Sequence, residues 1–311
     1  MTAPLKVFLF ILLVLPACTA FPQVKKKSYT EIDRIAYYTG PDADTSKQRI
    51  NLVIPKKVNK PPLLIWVGGG AWSYVNPDME MDLVRKIAES GIAVASVGHR
   101  LSPATWKDST LNVGIKHPEH VKDLARAIAF LYANADRYGV DKGNIFVGGY
   151  SSGAHLAALV VMDNRYLKQH GLSKELIRGV IPIAGMYNVQ HYYQVLAEGN
   201  GNAFADNHIG SVFGLTPEEF QHASPATYLD SLATPMLLIS ETNTFKYTRL
   251  FEDQLRAKEY KKFEVLHVHR RNHGGLWKEL SYANKSIYRE LIIDFVKRQN
   301  TRDTDYTRKR G

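Results

Sequence analysis

The sequence predicts an α/β fold: a mostly parallel central sheet covered by helices on both faces. Three observations carry this expectation. Short runs that are apolar throughout, such as Leu63–Val67 and Ile145–Val147, read as strands with no solvent-facing side. They alternate along the chain with longer stretches of helical periodicity, the pattern of a sheet with helices on its faces. The stretches richest in reactive or glycine residues, 68–72, 149–153, 240–243 and 269–274, each follow directly on a strand run. In parallel sheets ligands bind at that carboxyl end of the strands.

Taken in order, the chain first shows an export-type segment. Lys6 precedes the apolar run Val7–Leu15, which is too short to span a bilayer but suits a secretory signal. Leu15-Pro16-Ala17-Cys18 resembles a lipobox, in which Cys18 would be lipidated; Cys18-Thr19-Ala20 would instead permit ordinary cleavage after Ala20. Cys18 is the one cysteine in the chain, so the mature body has no disulfide even if exported. The expected product is a periplasmic protein or a cell-surface lipoprotein, with residues 1–20 removed as signal or lipoprotein signal.

The body is expected to be one domain over residues 28–298, for which 311 residues with 45% hydrophobic and 23% charged content suffice. A lead-in from Ser28 precedes a first strand at 49–54, where Ile50, Leu52 and Ile54 alternate with other residues. Leu63–Val67 is the second strand, ending in Gly68-Gly69-Gly70-Ala71-Trp72. Consecutive glycines after a buried strand mark backbone amides that face a ligand. A helix over 82–90, a strand over 92–97 and the turn Gly98-His99-Arg100-Leu101-Ser102-Pro103 follow. One long helix is expected over 118–138, with Val121, Leu124, Ala125, Ile128 and Leu131 on its apolar face. Beyond the strand at 145–147 and its helix come a strand over 179–183 and an irregular, aromatic-rich cap over about 188–222. A strand over 235–239, a helix over 248–258, a strand over 263–268 and a closing helix over 280–296 complete the domain, and residues 299–311 form a disordered basic tail. The net charge of +10 sits largely in that tail and in Lys25–Lys27. No basic stripe interleaved with aromatics accompanies it, so nucleic acid is not an expected partner, whereas an anionic membrane surface is.

The chemistry centres on Gly149-Tyr150-Ser151-Ser152-Gly153, where strand must become helix within a few residues. Such a turn strains its central residue and lifts the Ser151 hydroxyl above the sheet, the arrangement of a nucleophile elbow. A serine so placed needs a base, then an acid to orient it, in chain order Ser, Asp/Glu, His. Among the downstream histidines, His273 sits in Arg271-Asn272-His273-Gly274-Gly275 just past the last strand, within reach of a neighbouring strand end. His155 lies one turn into the elbow helix and reads as structural. His267 and His269 share a strand face but lack a third ligand at zinc spacing.

The run HPEHVKDLARAIAFLYANADRYGVDKGNIFVGGYSSGAHLAALVV, with the turn at 99–103, resembles the carboxylesterase branch of the α/β-hydrolases. That branch includes hormone-sensitive-lipase-like esterases, kynurenine formamidases and prenylcysteine methylesterases. The resemblance runs from about Ile50 to Val296 and implies an α/β-hydrolase fold with a small cap. It makes Ser151 the nucleophile, His273 the base, and the amides of Gly70, Ala71 and Ser152 an oxyanion hole. His99 stands where the family has Tyr, and Gly68 stands where its oxyanion loop has His. The commonest acid position falls on Asn243, and the kynurenine-formamidase-like register, keyed on Phe245, on Glu241. An amide cannot stabilise an imidazolium, so Glu241 is the expected acid. Trp72, Tyr74, Tyr150 and Tyr187 would line a partly aromatic pocket for a small acyl or aryl ester. The implied activity is cleavage of carboxylic esters through an acyl-enzyme, with no metal or cofactor. An arylformamidase, a carbohydrate-ester deacetylase and a non-catalytic binding module with a degraded triad are the alternatives.

Overall fold

The computed structural model describes residues 27–300. The export segment with Cys18 and most of the basic tail lie outside the described residues. The strands are β1 (Tyr29–Ala36), β2 (Arg49–Pro55), β3 (Pro62–Val67), β4 (Ala93–Val97), β5 (Asp141–Tyr150), β6 (Ile177–Ile183), β7 (Met236–Glu241) and β8 (Phe263–Val268). They form one sheet in the order β1-β2-β4-β3-β5-β6-β7-β8. Pairing is antiparallel for β1 with β2 and for β2 with β4, and parallel from β4 through β8. β1 is an addition to the expected set. Glu31, Asp33 and Arg34 interrupt its apolar pattern, and such charges suit an edge strand, whose outer side has no partner to pair with.

The helices are α1 (Met81–Ala88), α2 (Glu119–Ala133), α3 (Ala135–Tyr138), α4 (Ser152–Met162), α5 (Asn164–Lys168), α6 (Val189–Asn200), α7 (Asn202–Val212), α8 (Pro217–Ala223), α9 (Phe245–Ala257), α10 (His273–Tyr282) and α11 (Ile287–Gln299). The inner strands split their side chains between two cores. Leu63, Ile65 and Val67 of β3 join the core under α2, α4 and α9. Leu64 and Trp66 join the core under α1, α10 and α11. Burial on both faces removes the need for a polar alternation. For the same reason Asn51 and Val53 of β2 are as buried as Ile50 and Leu52.

Local chemistry corrects several expected boundaries. The long helix over 118–138 breaks at Asn134, whose side-chain amide donates to the Phe130 carbonyl, leaving α2 and the one-turn α3. The stretch expected to be irregular is helical: Asn188 caps α6 by accepting from the His191 N–H, and Gly201, at φ 88°, separates α6 from α7. Asn188 and Gly201, two of the residues that suggested irregular structure, sit at caps, while Gly199, Asn200, Asn202, Asn207 and Gly210 lie within the helices. The closing helix is two helices, α10 begun by the Asn272 cap and α11 by the Ser286 cap. His273 is therefore the first residue of a helix rather than a loop residue, and α9 starts three residues early, at Phe245.

Candidate active site

Ser151 stands between β5 and α4 at φ 55°, ψ −117°, a conformation most residues avoid. The turn closes only around glycines. A Cβ on Gly149 would lie 2.5 Å from the Gly153 backbone, and one on Gly153 would lie 2.0 Å from the Val67 carbonyl oxygen. That second contact is where α4 crosses the end of β3, so the elbow and the 68–72 loop are packed backbone against backbone. The loop is itself strained, with Ala71 at φ 47° and Trp72 at φ 58°. It brings Gly69, Gly70 and Ala71 beside Ser151 on the walls of two adjoining cavities. Ser152 opens α4, and the first amides of a helix have no partner within it.

The imidazole comes from the far side of the sheet end. Ser151 Oγ lies 2.9 Å from His273 Nε2, and His273 Nδ1 lies 3.0 Å from Glu241 Oε1. With the Nδ1–H donated to the carboxylate, Nε2 is left to accept the serine proton. Glu241 closes β7, and its other oxygen, Oε2, accepts the Asn243 N–H at 2.6 Å. Burial pushes this carboxyl up, but the His273 and Asn243 donors outweigh it and hold it below the usual carboxylate range. Asn243 acts on the backbone instead, where its Oδ1 accepts the N–H of His273 at 2.9 Å. The Tyr150 hydroxyl donates to the His273 carbonyl at 2.6 Å. The backbone of the histidine is thus held at both its N–H and its C=O, while its ring bridges serine and carboxylate.

Ser151 and His273 line both cavities. The larger, about 690 Å³, is walled by Trp72, Met186, Tyr192, Leu196 and Tyr247, with Asn243, Thr244, Asn272 and Lys278 at its polar side. The smaller, about 180 Å³, is formed by Tyr74, Met79, Tyr150 and Trp277 around the glycine loop. Of the four aromatics expected in the pocket, Trp72 faces the larger cavity, and Tyr74 and Tyr150 the smaller. Tyr187 is a correction. It is fully buried and stacks on Phe251 of α9, with ring centroids 4.4 Å apart, so it belongs to the core. Tyr192, Leu196 and Tyr247 escape a sequence reading as lining residues because they arrive from helices α6 and α9. The aromatic run at 192–193 is the only hint of them in the sequence.

His155 and His267 are occupied at both ring nitrogens. His155 is buried, accepts the Trp72 indole N–H at 3.2 Å and donates to the Ala223 carbonyl at 2.8 Å. His267 lies between Ser240 Oγ at 2.6 Å and Glu252 Oε2 at 2.9 Å. This second Ser-His-Glu line is closed to substrate, since Ser240 is fully buried; it ties β7, β8 and α9 together.

The sequence profile of the BD-FAE family matches residues 50–244, well over half of the chain. Among curated proteins, the esterase LipC of Mycobacterium tuberculosis is 27% identical over 274 residues, covering 83% of this chain and 62% of that protein. The probable isoprenylcysteine alpha-carbonyl methylesterase ICME of Oryza sativa subsp. japonica is 29% identical over 153 residues, 48% of this chain and 34% of its own. The chain thus spans about a third to three fifths of the length of these relatives. Among solved structures, esterase B from Lactobacillus rhamnosis superposes with a TM-score of 0.72 at 17% identity, covering 92% of this chain and 90% of that one. A truncated carbohydrate esterase from gut microbiota reaches 0.68 at 19% identity, covering 88% and 98%. Those two likenesses establish the fold. The family profile, matching over half of the chain, shows that the chain belongs to the BD-FAE family, and with the esterase relatives it supports the carboxylesterase branch of the α/β-hydrolases.

Proposed function

We propose that the protein is a serine hydrolase that cleaves carboxylic esters through an acyl-enzyme. The observation that carries the reading is the continuous line Ser151–His273–Glu241, which ends on a strained serine at the junction of two cavities. Ser151 Oγ attacks the ester carbonyl as His273 Nε2 takes its proton. The amides of Gly70, Ala71 and Ser152 hold the oxyanion, and Glu241 offsets the charge that the imidazole gains. The same proton passes to the departing alcohol, after which water, deprotonated by His273, releases the acid. The smaller, largely apolar cavity suits a short acyl group, and the larger one the alcohol.

The esterase names among the relatives support the reaction class. A polar alcohol such as a carbohydrate is favoured by Asn243, Thr244, Asn272 and Lys278 on the large cavity's wall. An arylformamide would use the same machinery, and comparing acetylated sugars with N-formylkynurenine separates the two. Export, with Cys18 as the site of a lipid anchor, is proposed from the charged and apolar pattern at 6–18.

Ser151→Ala is expected to lower turnover of p-nitrophenyl acetate by at least about a thousandfold with little change in melting temperature. Retention of more than about a tenth of the activity would remove Ser151 from the nucleophile's role.

A further inference from the structure

Glu80 is a buried acid that the reaction sequence does not use. It ends a short 3-10 turn, Pro77–Glu80, at the start of α1 and is 2% exposed. No Lys, Arg or His is paired with it among the described residues. Its two oxygens are instead each taken by an indole. Oε2 accepts the Trp66 Nε1–H at 2.9 Å, and Oε1 accepts the Trp277 Nε1–H at 3.1 Å. A buried carboxylate without a cation is costly to keep, and burial does push this carboxyl up against the pull of the two donors.

The position of Glu80 gives that cost a purpose. Trp66 lies on β3 two residues before Gly68, the first residue of the strained glycine loop. Trp277 lies one helical turn after His273 on α10. A Cβ built on Gly68 would come within 2.8 Å of both Cγ and Oε1 of Glu80. The carboxyl therefore fills the space into which a side chain at position 68 would project. It bonds to the strand that feeds the loop and to the helix that begins with the catalytic imidazole.

Resting on the serine-hydrolase reading above, we propose that Glu80 is a positioning residue that fixes the oxyanion loop relative to the helix carrying His273. It does so from outside the loop, where a loop side chain is absent. The loop and the imidazole act on opposite sides of one reacting carbonyl, so their separation must hold to within a fraction of an ångström. A carboxylate suits this role because it accepts at both oxygens. A glutamine in its place accepts at one, and its amide N–H₂ then faces an indole N–H.

The test is Glu80→Gln, measured with p-nitrophenyl butyrate on preparations whose active sites have been counted with a fluorophosphonate. The kcat per titrated site should fall about ten- to a hundredfold, with KM changed less than about threefold. Inhibition by n-butylboronic acid, whose tetrahedral adduct needs the oxyanion loop, should weaken in parallel. Inhibition by butyrate, which makes no such adduct, should not. Trp277→Phe keeps the ring and deletes one N–H, and should give a smaller loss of the same kind, about three- to tenfold. A Glu80→Gln protein that melts earlier but keeps kcat per titrated site and boronate affinity overturns the proposal. If that variant does not fold, an unchanged kcat and boronate affinity in Trp277→Phe overturns it alone. If wild type resists the fluorophosphonate and Ser151→Ala stays active, the hydrolase reading has failed and takes this one with it. Failure at Glu80 alone leaves wild-type titration and the Ser151→Ala loss intact.

Discussion

Residue type alone does not decide what a serine, histidine and glutamate do. Two such lines exist close to one another here, because Ser240 and Glu241 are adjacent on β7 and point to opposite faces of the sheet. Glu241 turns toward His273 at the cavity, while Ser240 turns toward His267 and is sealed. The roles of Glu241 and Asn243 also separate at this scale. Glu241→Gln keeps the shape but removes the charge facing the His273 Nδ1–H, and kcat should fall by at least about a hundredfold. Asn243→Ala loses the acceptor for the His273 backbone N–H and should cost only about tenfold, the loss of one positioning hydrogen bond. Steady-state kinetics on titrated preparations check both. A crippled Asn243→Ala beside a healthy Glu241→Gln would move the acid's role to residue 243.

At the scale of elements, the wall over the site depends on histidines kept neutral. His155 on α4 accepts the Trp72 indole N–H and donates to Ala223 at the end of α8, so it links the elbow helix, the glycine loop and the cap helices. Burial holds it down to about 4, and does the same to His208 on α7. Protonating His155 at Nδ1 would turn its acceptor into a second donor facing the indole. The unfolded chain takes up these protons near pH 6.5, while the fold resists until about pH 4. Stability is therefore fully present above about pH 6.5 and falls as pH drops toward 4, by roughly 1.4 kcal/mol per pH unit for each fully buried histidine. Melting temperatures taken from pH 7 to pH 4.5 should decline, and His155→Gln should flatten the slope by one group's share. An unaltered slope in that variant would show that His155 is not among the groups responsible.

For the whole molecule, two cores on one sheet supply the stability, with no cysteine anywhere in residues 27–300 to add a covalent tie. The folded body and the proposed anchor are thus separable. Cys18→Ala should move the protein from the membrane to the soluble fraction, leaving turnover of p-nitrophenyl acetate by the proposed esterase and the melting temperature unchanged. Recovery of wild-type protein as an unmodified soluble chain beginning at Phe21 would contradict lipidation.

The alternation of wholly apolar runs with amphipathic stretches was sufficient to read strands β2 to β8 and the helices packed on them, though not the charged edge strand β1. Burial on both faces imposes that pattern whatever the details of packing. The sharp turn at 149–153 was legible for a similar reason, since the backbone geometry there excludes side chains at Gly149 and Gly153. Ser151 and His273 could be named because each follows closely on a strand. Helix caps were less legible: Asn188, Gly201 and Asn272 look like loop formers until the amide each satisfies, or the turn each makes, is in place. Glu241 was preferred to Asn243 on the chemistry of an imidazolium, and the tertiary structure adds its contact with His273. Two things depended wholly on the tertiary structure: Tyr187 faces the core rather than the pocket, and Glu80 lies beneath the glycine loop. Both are settled by where a side chain meets an element distant in sequence: Phe251 on α9, and Trp277, 197 residues from Glu80. Local sequence constrains backbone shape and burial, but which distant atoms share a hydrogen bond follows only once the sheet has set the distances between its strand ends.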